Sequence, residues 1–380
     1  MAEQDGSMEM DPEVAKKLLR EGATLVFLGL PPGSEFGMDM VPHNTGEEFK
    51  GIKLIPAGLH FVFYSTVSST GTTAPRTGFF HYFQRGEVLV KKWDPVAEDI
   101  RKEEVSAEEV EKFRSHVQGD LDRFLGVYAY HDWRRWISLT KHISKDVLNR
   151  LQPESGKIYS ATPFEPLQFL SERSHREAQP AGDTAGKSDS IDLKEVAGTA
   201  VRYTPFPRHK YPDNASPAEI TRHSIDSTYL LDTLLAGCPE ECGLLGELQF
   251  AFVCFLVGHS YSGFEQWQKI VRVLCTSAGA VTKYVPLYDS LIAVLYFQLR
   301  EIPSDFFVDI VSRENFLTAT LSELFRNIAE AGGDDVSAEL ESLKKKTSRF
   351  KASIGKLFGW SFDEEPEDEQ PVVVDLAGQN

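Results

Sequence analysis

Cysteine is scarce in this chain: there are four in 380 residues, Cys238, Cys242, Cys254 and Cys275. That is too few for a disulfide framework. Long apolar runs are missing too. The longest, FAFVCFLVG at 250–258, is about half of what a bilayer requires. Positive charge is short: 40 Lys and Arg against 57 Asp and Glu leave a net charge of −17. Gripping nucleic acid by neutralising phosphates needs clustered bases, so no direct nucleic-acid contact is expected. The opening residues, MAEQDGSMEMDPE, lack a basic-then-apolar pattern, and no secretory signal is readable. The expectation is a soluble monomer of cytoplasm and nucleus, without membrane contact.

What is present is globular: 41% hydrophobic, 26% charged and 11% aromatic residues. Asp11 and Pro12 start a helix whose apolar face is Val14, Leu18 and Leu19, and Gly22 ends it. The pattern then turns to strands at 24–30, 51–58, 59–67, 77–83 and 88–93. Gln84-Arg85-Gly86-Glu87 is a hairpin signal between the last two. No helix of crossover length separates these strands, which favours antiparallel pairing in a sandwich or barrel. Ser106 and Glu109 form a capping box for a helix to about Gly119. Short helices are expected at 132–140, capped by Asp132, and at 145–151. Trp133 and Trp136 share one helical face and read as packing against a sheet.

Residues 171–190 contain no Val, Ile, Leu, Met, Phe, Tyr or Trp, so they cannot bury enough surface to offset ordering entropy. Beyond this linker, Ser216, Pro217 and Glu219 open a helical region. Helices are predicted at 217–236, 243–258, 261–278, 281–300, 304–311, 314–330 and 335–353. Helix 243–258 is apolar nearly all round and marks the buried centre of a bundle. The fold class is therefore α+β with two domains: an antiparallel, β-sandwich-like domain with flanking helices, then an all-α domain. The expected boundaries are 1–160 for the β-rich domain, 161–212 for a flexible linker, 213–358 for the helical domain and 359–380 for an acidic tail.

Chemistry is hard to find. Gly182 to Ser188 imitates a phosphate loop but has three residues between its glycines where four are needed, and no strand precedes it. Cys238 and Cys242 have metal-like spacing without a second ligand pair, so a thiol pair is favoured over zinc. Cys254 and Cys275 read as small core residues. The pair His131-Asp132 is better explained by helix capping than by acid–base work. No cofactor, metal site or catalytic residue is expected. The basic run 344–356, six bases and no acid, reads as a solvated helix end rather than an RNA site. Residues 361–380 hold seven acids, no base, and the strand-forming PVVVDL. That strand can add to a partner's sheet edge or pair with the chain's own amino-terminal sheet, and the residues alone leave both open. Phe306 and Phe307 cannot both point inward on one helix, which makes one of them a candidate partner anchor.

Long strings resemble one family, the A-A-R-two splicing factors. They include MDPEVAKKLLREGAT (10–24), FKGIKLIPAGLHFVFYS (49–65), SPAEITRHSIDSTYLLD (216–232), LGELQFAFVCFLVG (245–258), LREIPSDFFVDIVSRENFL (299–317) and EPEDEQPVVVDL (365–376). The resemblance covers nearly all of the chain outside the linker. It implies a β-sandwich-like domain followed by a VHS-like helical domain, and a non-enzymatic role in assembly of the U-five small nuclear ribonucleoprotein in pre-mRNA splicing. It implies as partners the spliceosomal scaffold Prp-eight, through its RNase H-like and Jab/MPN-like regions, and other U-five proteins, with the U-five helicase held off until maturation. It also assigns the donated strand to Val372, Val373, Val374 and Leu376. A phospho-peptide or trafficking adaptor is the alternative that a VHS-like fold suggests, on fold analogy alone.

The linker generates a direct expectation. Limited proteolysis should cut first within 171–190 and leave two resistant pieces, about 1–160 and 213–358. First cleavage inside 217–330 would refute that boundary.

Overall fold

The computed structural model describes residues 11–67, 72–163, 196–238, 243–303, 316–333 and 336–362. The chain divides into two compact units, Met1–Thr204 with Gln249–Gln266, and Pro205–Leu248 with Trp267–Asn380.

In the first unit, helix α1 (Pro12–Glu21) starts where Asp11 accepts a 2.8 Å hydrogen bond from the Glu13 amide. Leu18 is buried, whereas Leu19, expected on the same face, is exposed. Among the described residues ten strands follow: β1 (Ala23–Leu28), β2 (Glu35–Met38), β3 (Val41–Asn44), β4 (Gly51–Ile55), β5 (Gly58–Ser65), β6 (Thr77–Phe83), β7 (Val88–Asp94), β8 (Asp99–Ile100), β9 (Leu125–Val127) and β10 (Ile158–Tyr159). They form two five-stranded sheets, in the orders β8-β7-β1-β4-β9 and β10-β6-β5-β2-β3. Between them come helices α2 (Ala107–Val117), α3 (Trp133–Thr140) and α4 (Lys145–Leu151).

The second sheet is antiparallel throughout, but the first is mixed, with β1 parallel to β7 and β4 parallel to β9. The antiparallel expectation therefore holds for one sheet only. Parallel neighbours need a long connection, and between β1 and β7 it is made of strands, most of them in the other sheet, in place of a helix. The hairpin signal at 84–87 also misled. The turn is made, with the Glu87 amide donating to the Gln84 carbonyl at 3.2 Å, yet β6 and β7 belong to different sheets. The Gly86 amide donates to Glu21 and the Thr24 amide to Glu87, both at 2.8 Å, which draws the turn to the start of β1.

Strand alternation divides the core. Leu25 and Phe27 of β1 pack with Phe36, Met38, Val62 and Tyr64 of the other sheet, while Val26 faces Val88, Val90 and the apolar side of α2. Strand β5 is buried on both faces. Its Val62 and Tyr64 face the first sheet, and Leu59, Phe61 and Phe63 meet Trp136, Val147, Leu148 and Leu151 of α3 and α4. Gly37 and Gly78 leave room for these rings: a Cβ would lie 2.1 Å from the Phe63 ring at one and 2.3 Å from the Phe61 ring at the other. Trp136 donates its indole N–H to the Leu59 carbonyl at 2.6 Å, so the tryptophan pair packs on β5 as its spacing predicts. Asp132 does not cap α3. Its carboxylate pairs with Arg135 at 2.7 Å and with His131 at 3.1 Å.

Residues 249–266 belong to this unit because Phe250, Val253, Cys254 and Val257 join the β5 side of the core. The side chain of Gln249 accepts from the His142 amide at 2.8 Å and donates to the Ser138 carbonyl at 3.0 Å, closing the corner between α3 and α4. Within the expected linker, 164–195 lies outside the described residues. Residues 196–204 do not hang free, since the Arg202 amide donates to Leu151 and the Ser155 amide to Gly198.

The second unit is helical: α5 (Pro217–Ile225), α6 (Thr228–Ala236), α7 (Gly243–Leu256), α8 (Tyr261–Cys275), α9 (Ala280–Lys283), α10 (Val285–Glu301), α11 (Phe316–Glu330) and α12 (Ala338–Phe358). The division between the units falls within α7 and α8. Helix α7 is thus not the centre of one bundle, because its second half serves the β-rich unit. The full capping box forms at Ser216 and Glu219. The single helix expected at 217–236 breaks at Asp226, whose carboxylate accepts from the Thr228 amide and hydroxyl. Likewise 281–300 divides at Tyr284. Predicted helix 304–311 lies outside the described residues.

One carboxylate ties the β-rich unit together. Asp39, buried and at φ 58°, accepts from the Phe61 amide at 2.9 Å, from His60 Nδ1 at 2.8 Å and from the Tyr128 hydroxyl at 2.6 Å. His60 Nε2 lies 2.8 Å from the Pro56 carbonyl, so both ring nitrogens have a hydrogen-bond partner. Asp39→Ala strands three buried donors and should cost about 3–5 kcal/mol in urea unfolding. Asp39→Asn tolerates the left-handed backbone and keeps one acceptor, so it should cost less. Wild-type stability in the alanine variant would contradict this role.

Candidate interaction surface

Val372, Val373, Val374, Leu376, Phe306 and Phe307 all lie outside the described residues. What can be built is the surface next to the root of the tail. Helix α12 begins at Ser337, whose hydroxyl accepts from the Leu340 amide, and buries Leu340, Leu343, Thr347, Phe350 and Ile354 at helical spacing. The basic run therefore lies on its other sides. Lys345 pairs with Glu341 one turn earlier at 2.7 Å, and Lys346 reaches the Asp289 carbonyl at 2.6 Å and its carboxylate at 2.8 Å. Arg349 is exposed and, among the described residues, makes no ion pair. Gly359, at φ 69°, ends the helix in the left-handed conformation that glycine allows. The chain then turns back, and Phe362 packs edge-on against Phe325 of α11, 5.0 Å between centroids. Phe325 in turn meets Phe350 at 5.7 Å.

Between α10 and α12 runs an open groove of about 390 Å³. Its floor is Ile292, Tyr296, Phe297 and Phe350, and Lys346 and Arg349 stand on its rim. Tyr296 is held from beside, its hydroxyl accepting from Arg300 at 3.0 Å. These groups suit an apolar segment carrying negative charge. The two walls are remote in sequence, and only the adjacent half-buried aromatics Tyr296 and Phe297 of α10 could have signalled the groove.

The first unit offers sheet edges. Strand β3 carries Pro42 and is mostly exposed, while β8, β9 and β10 have two or three residues each. A second hollow, about 450 Å³, lies beside β9, where Lys50 and Arg123 both sit over the Phe124 ring.

Nothing in these surroundings sets up catalysis. Burial pushes the thiols of Cys254 and Cys275 well above their ordinary range, which makes them inert core residues. Cys238 is buried and Cys242 lies outside the described residues. Among the described residues, no three His, Cys, Asp or Glu side chains converge as metal ligands, and no helix is long and apolar enough to cross a membrane.

Two family models match the chain: the AAR2 N-terminal domain over residues 21–153 and the AAR2 C-terminal repeat region over 203–363. A mouse (Mus musculus) protein, Protein AAR2 homolog, is 43% identical over 97% of this chain and 98% of its own length. The human (Homo sapiens) Protein AAR2 homolog is 40% identical over the same shares. The chain belongs to the AAR2 family. The A1 cistron-splicing factor AAR2 of Saccharomyces cerevisiae is 22% identical over 92% of the chain and 97% of its own length. The two AAR2 models leave unmatched both 154–202, which holds most of the expected linker, and the tail beyond 363. Proteins of the AAR2 family are not enzymes.

One half-buried base, His142, should make the stability of this chain depend on pH. His142 is half-buried, its Nε2 has no partner, and burial together with Lys141 pushes its pKa from 6.5 down to about 4. The unfolded chain takes up this proton below about pH 6.5 while the folded chain does not, so stability falls as pH falls across that window. His142→Gln should show a smaller drop in Tm than the wild type between neutral pH and about pH 5. An equal drop in both would show that His142 does not contribute.

Proposed function

We propose that this chain is a non-enzymatic assembly factor of the U-five small nuclear ribonucleoprotein in pre-mRNA splicing. In this reading it binds the scaffold Prp-eight at its RNase H-like and Jab/MPN-like regions and holds the U-five helicase off until the particle matures. It acts as a monomer in cytoplasm and nucleus, without direct contact to nucleic acid or membrane. Its first unit is the β-sandwich-like domain and its second the VHS-like domain of such a factor.

The observation that carries this is family membership over nearly the whole chain, together with a relative named as a splicing factor. Physical features support it. A net charge of −17 suits a basic protein surface better than RNA. The tail is the segment assigned to the scaffold. Val372, Val373 and Val374 favour an extended backbone, and Pro371 stands at the first position, where its missing N–H costs least. Among the described residues, the outermost strands β3, β8, β9 and β10 are short or carry proline, which makes them poor templates for a six-residue strand. Val372 and Val374 would enter one set of pockets and Val373 the other.

Deleting 371–380 should weaken binding to purified scaffold by about tenfold or more, a loss of ~1.4 kcal/mol at least, with Tm unchanged. Val373→Pro should do nearly as much, because it removes a backbone donor from the middle of the pairing. Normal binding by the deletion, or a fall in its Tm, would count against this role for the tail.

A further inference from the structure

The groove between α10 and α12 has no occupant among the described residues, yet its chemistry matches a segment of the same chain. We propose that in the free protein the acidic tail folds back along α12 and seats PVVVDL in this groove. The inference stands on the groove and the tail sequence. Only its consequence, that the scaffold must displace the tail from its own protein, rests on the reading above.

Three observations carry it. The first is charge. Residues 344–356 of α12 hold six bases and no acid, and residues 361–380 hold seven acids and no base. Arg349, on the groove rim, has no acidic partner among the described residues. The second is the path of the chain. Gly359 reverses it and Phe362 is pinned on Phe325, beside the Phe350 ring that lines the groove. The described residues end there, against α11 beside the groove. Eight residues, 363–370, separate Phe362 from Pro371. Extended, they span about 30 Å, ample to cross one helix of ~10 Å diameter. The third is the apolar fit. A hollow of about 390 Å³ floored by Ile292, Tyr296, Phe297 and Phe350 is of a size to take two or three valine side chains.

Tethering makes weak contacts sufficient. A segment held this close has an effective concentration of order millimolar, so contacts too weak to hold a free peptide keep a tethered one seated. A partner offering a sheet edge with continuous backbone hydrogen bonds supplies what a helical groove cannot. Docking in cis thus keeps an aggregation-prone strand covered until that partner arrives. Because the acids meet exposed bases, the docked state should loosen as salt rises.

The test is methyl NMR on the full-length chain with labelled valine. Val372–Val374 methyls should show contacts to the Tyr296 and Phe297 rings, unchanged on tenfold dilution. Arg349→Glu, an exposed change that leaves the buried face of α12 intact, should abolish these contacts without lowering Tm, and Phe297→Ala should weaken them. Sharp valine signals at random-coil positions in the wild type would overturn the proposal. So would contacts to another surface, contacts that fade on dilution and so belong to a second copy, or contacts that survive Arg349→Glu. No scaffold is needed, so failure of the assembly-factor reading leaves this result interpretable: a tail that docks in cis but whose deletion spares scaffold binding would refute that reading alone.

Discussion

A single buried carboxylate, Asp39, organises the β-rich unit. Its two oxygens collect a backbone amide of β5, the His60 ring and the Tyr128 hydroxyl, while its own amide donates to the Phe61 carbonyl. Those groups come from β5, from the turn after β2 and from the segment after β9, so a single side chain fixes three separate stretches. The constraint propagates. His60 stacks on Trp133 at 5.0 Å, which sets the start of α3, and Trp136 then reaches the Leu59 carbonyl. With β5 held in this way, its odd-numbered side chains form the floor on which α4 and residues 249–266 pack. A low-dielectric site makes such a satisfied network strong and its partial loss expensive.

Local chemistry was legible in the sequence, and long-range pairing was not. The caps at Asp11, Ser106 and Ser216 act where their spacing places them, because each needs only its own next three residues. Helix α4 spans the predicted residues for the same reason, with Ser144 as its cap. The turn at 84–87 was equally visible, but which strands it joins depends on Thr24 and Glu21, remote from it in the chain. The His60–Asp39–Tyr128 cluster left no trace, since its members lie 21 and 89 positions apart. As for the candidate site, the tail stood out because strand-forming valines sit among acids. The groove did not, because its walls come from two helices and its value lies in their juxtaposition.

Charge has different roles along the chain. Inside, it is paired and structural, as at Asp39 and at the Arg76–Glu35 fork, where Arg76 also lies 4.2 Å over the Phe63 ring. Outside, it is segregated, with bases on the last helix and acids on the tail after it. Exposed pairs of this kind contribute little stability and are screened by salt. In the docking proposed above, they would guide the tethered tail towards the bases of α12.

The central claim is that the chain works by holding the U-five scaffold. Affinity purification of the full-length protein from cell extract, followed by mass spectrometry, tests it most directly. The account predicts retention of Prp-eight with U-five components. Recovery of membrane cargo tails or phosphoprotein clients, with no scaffold, would contradict it.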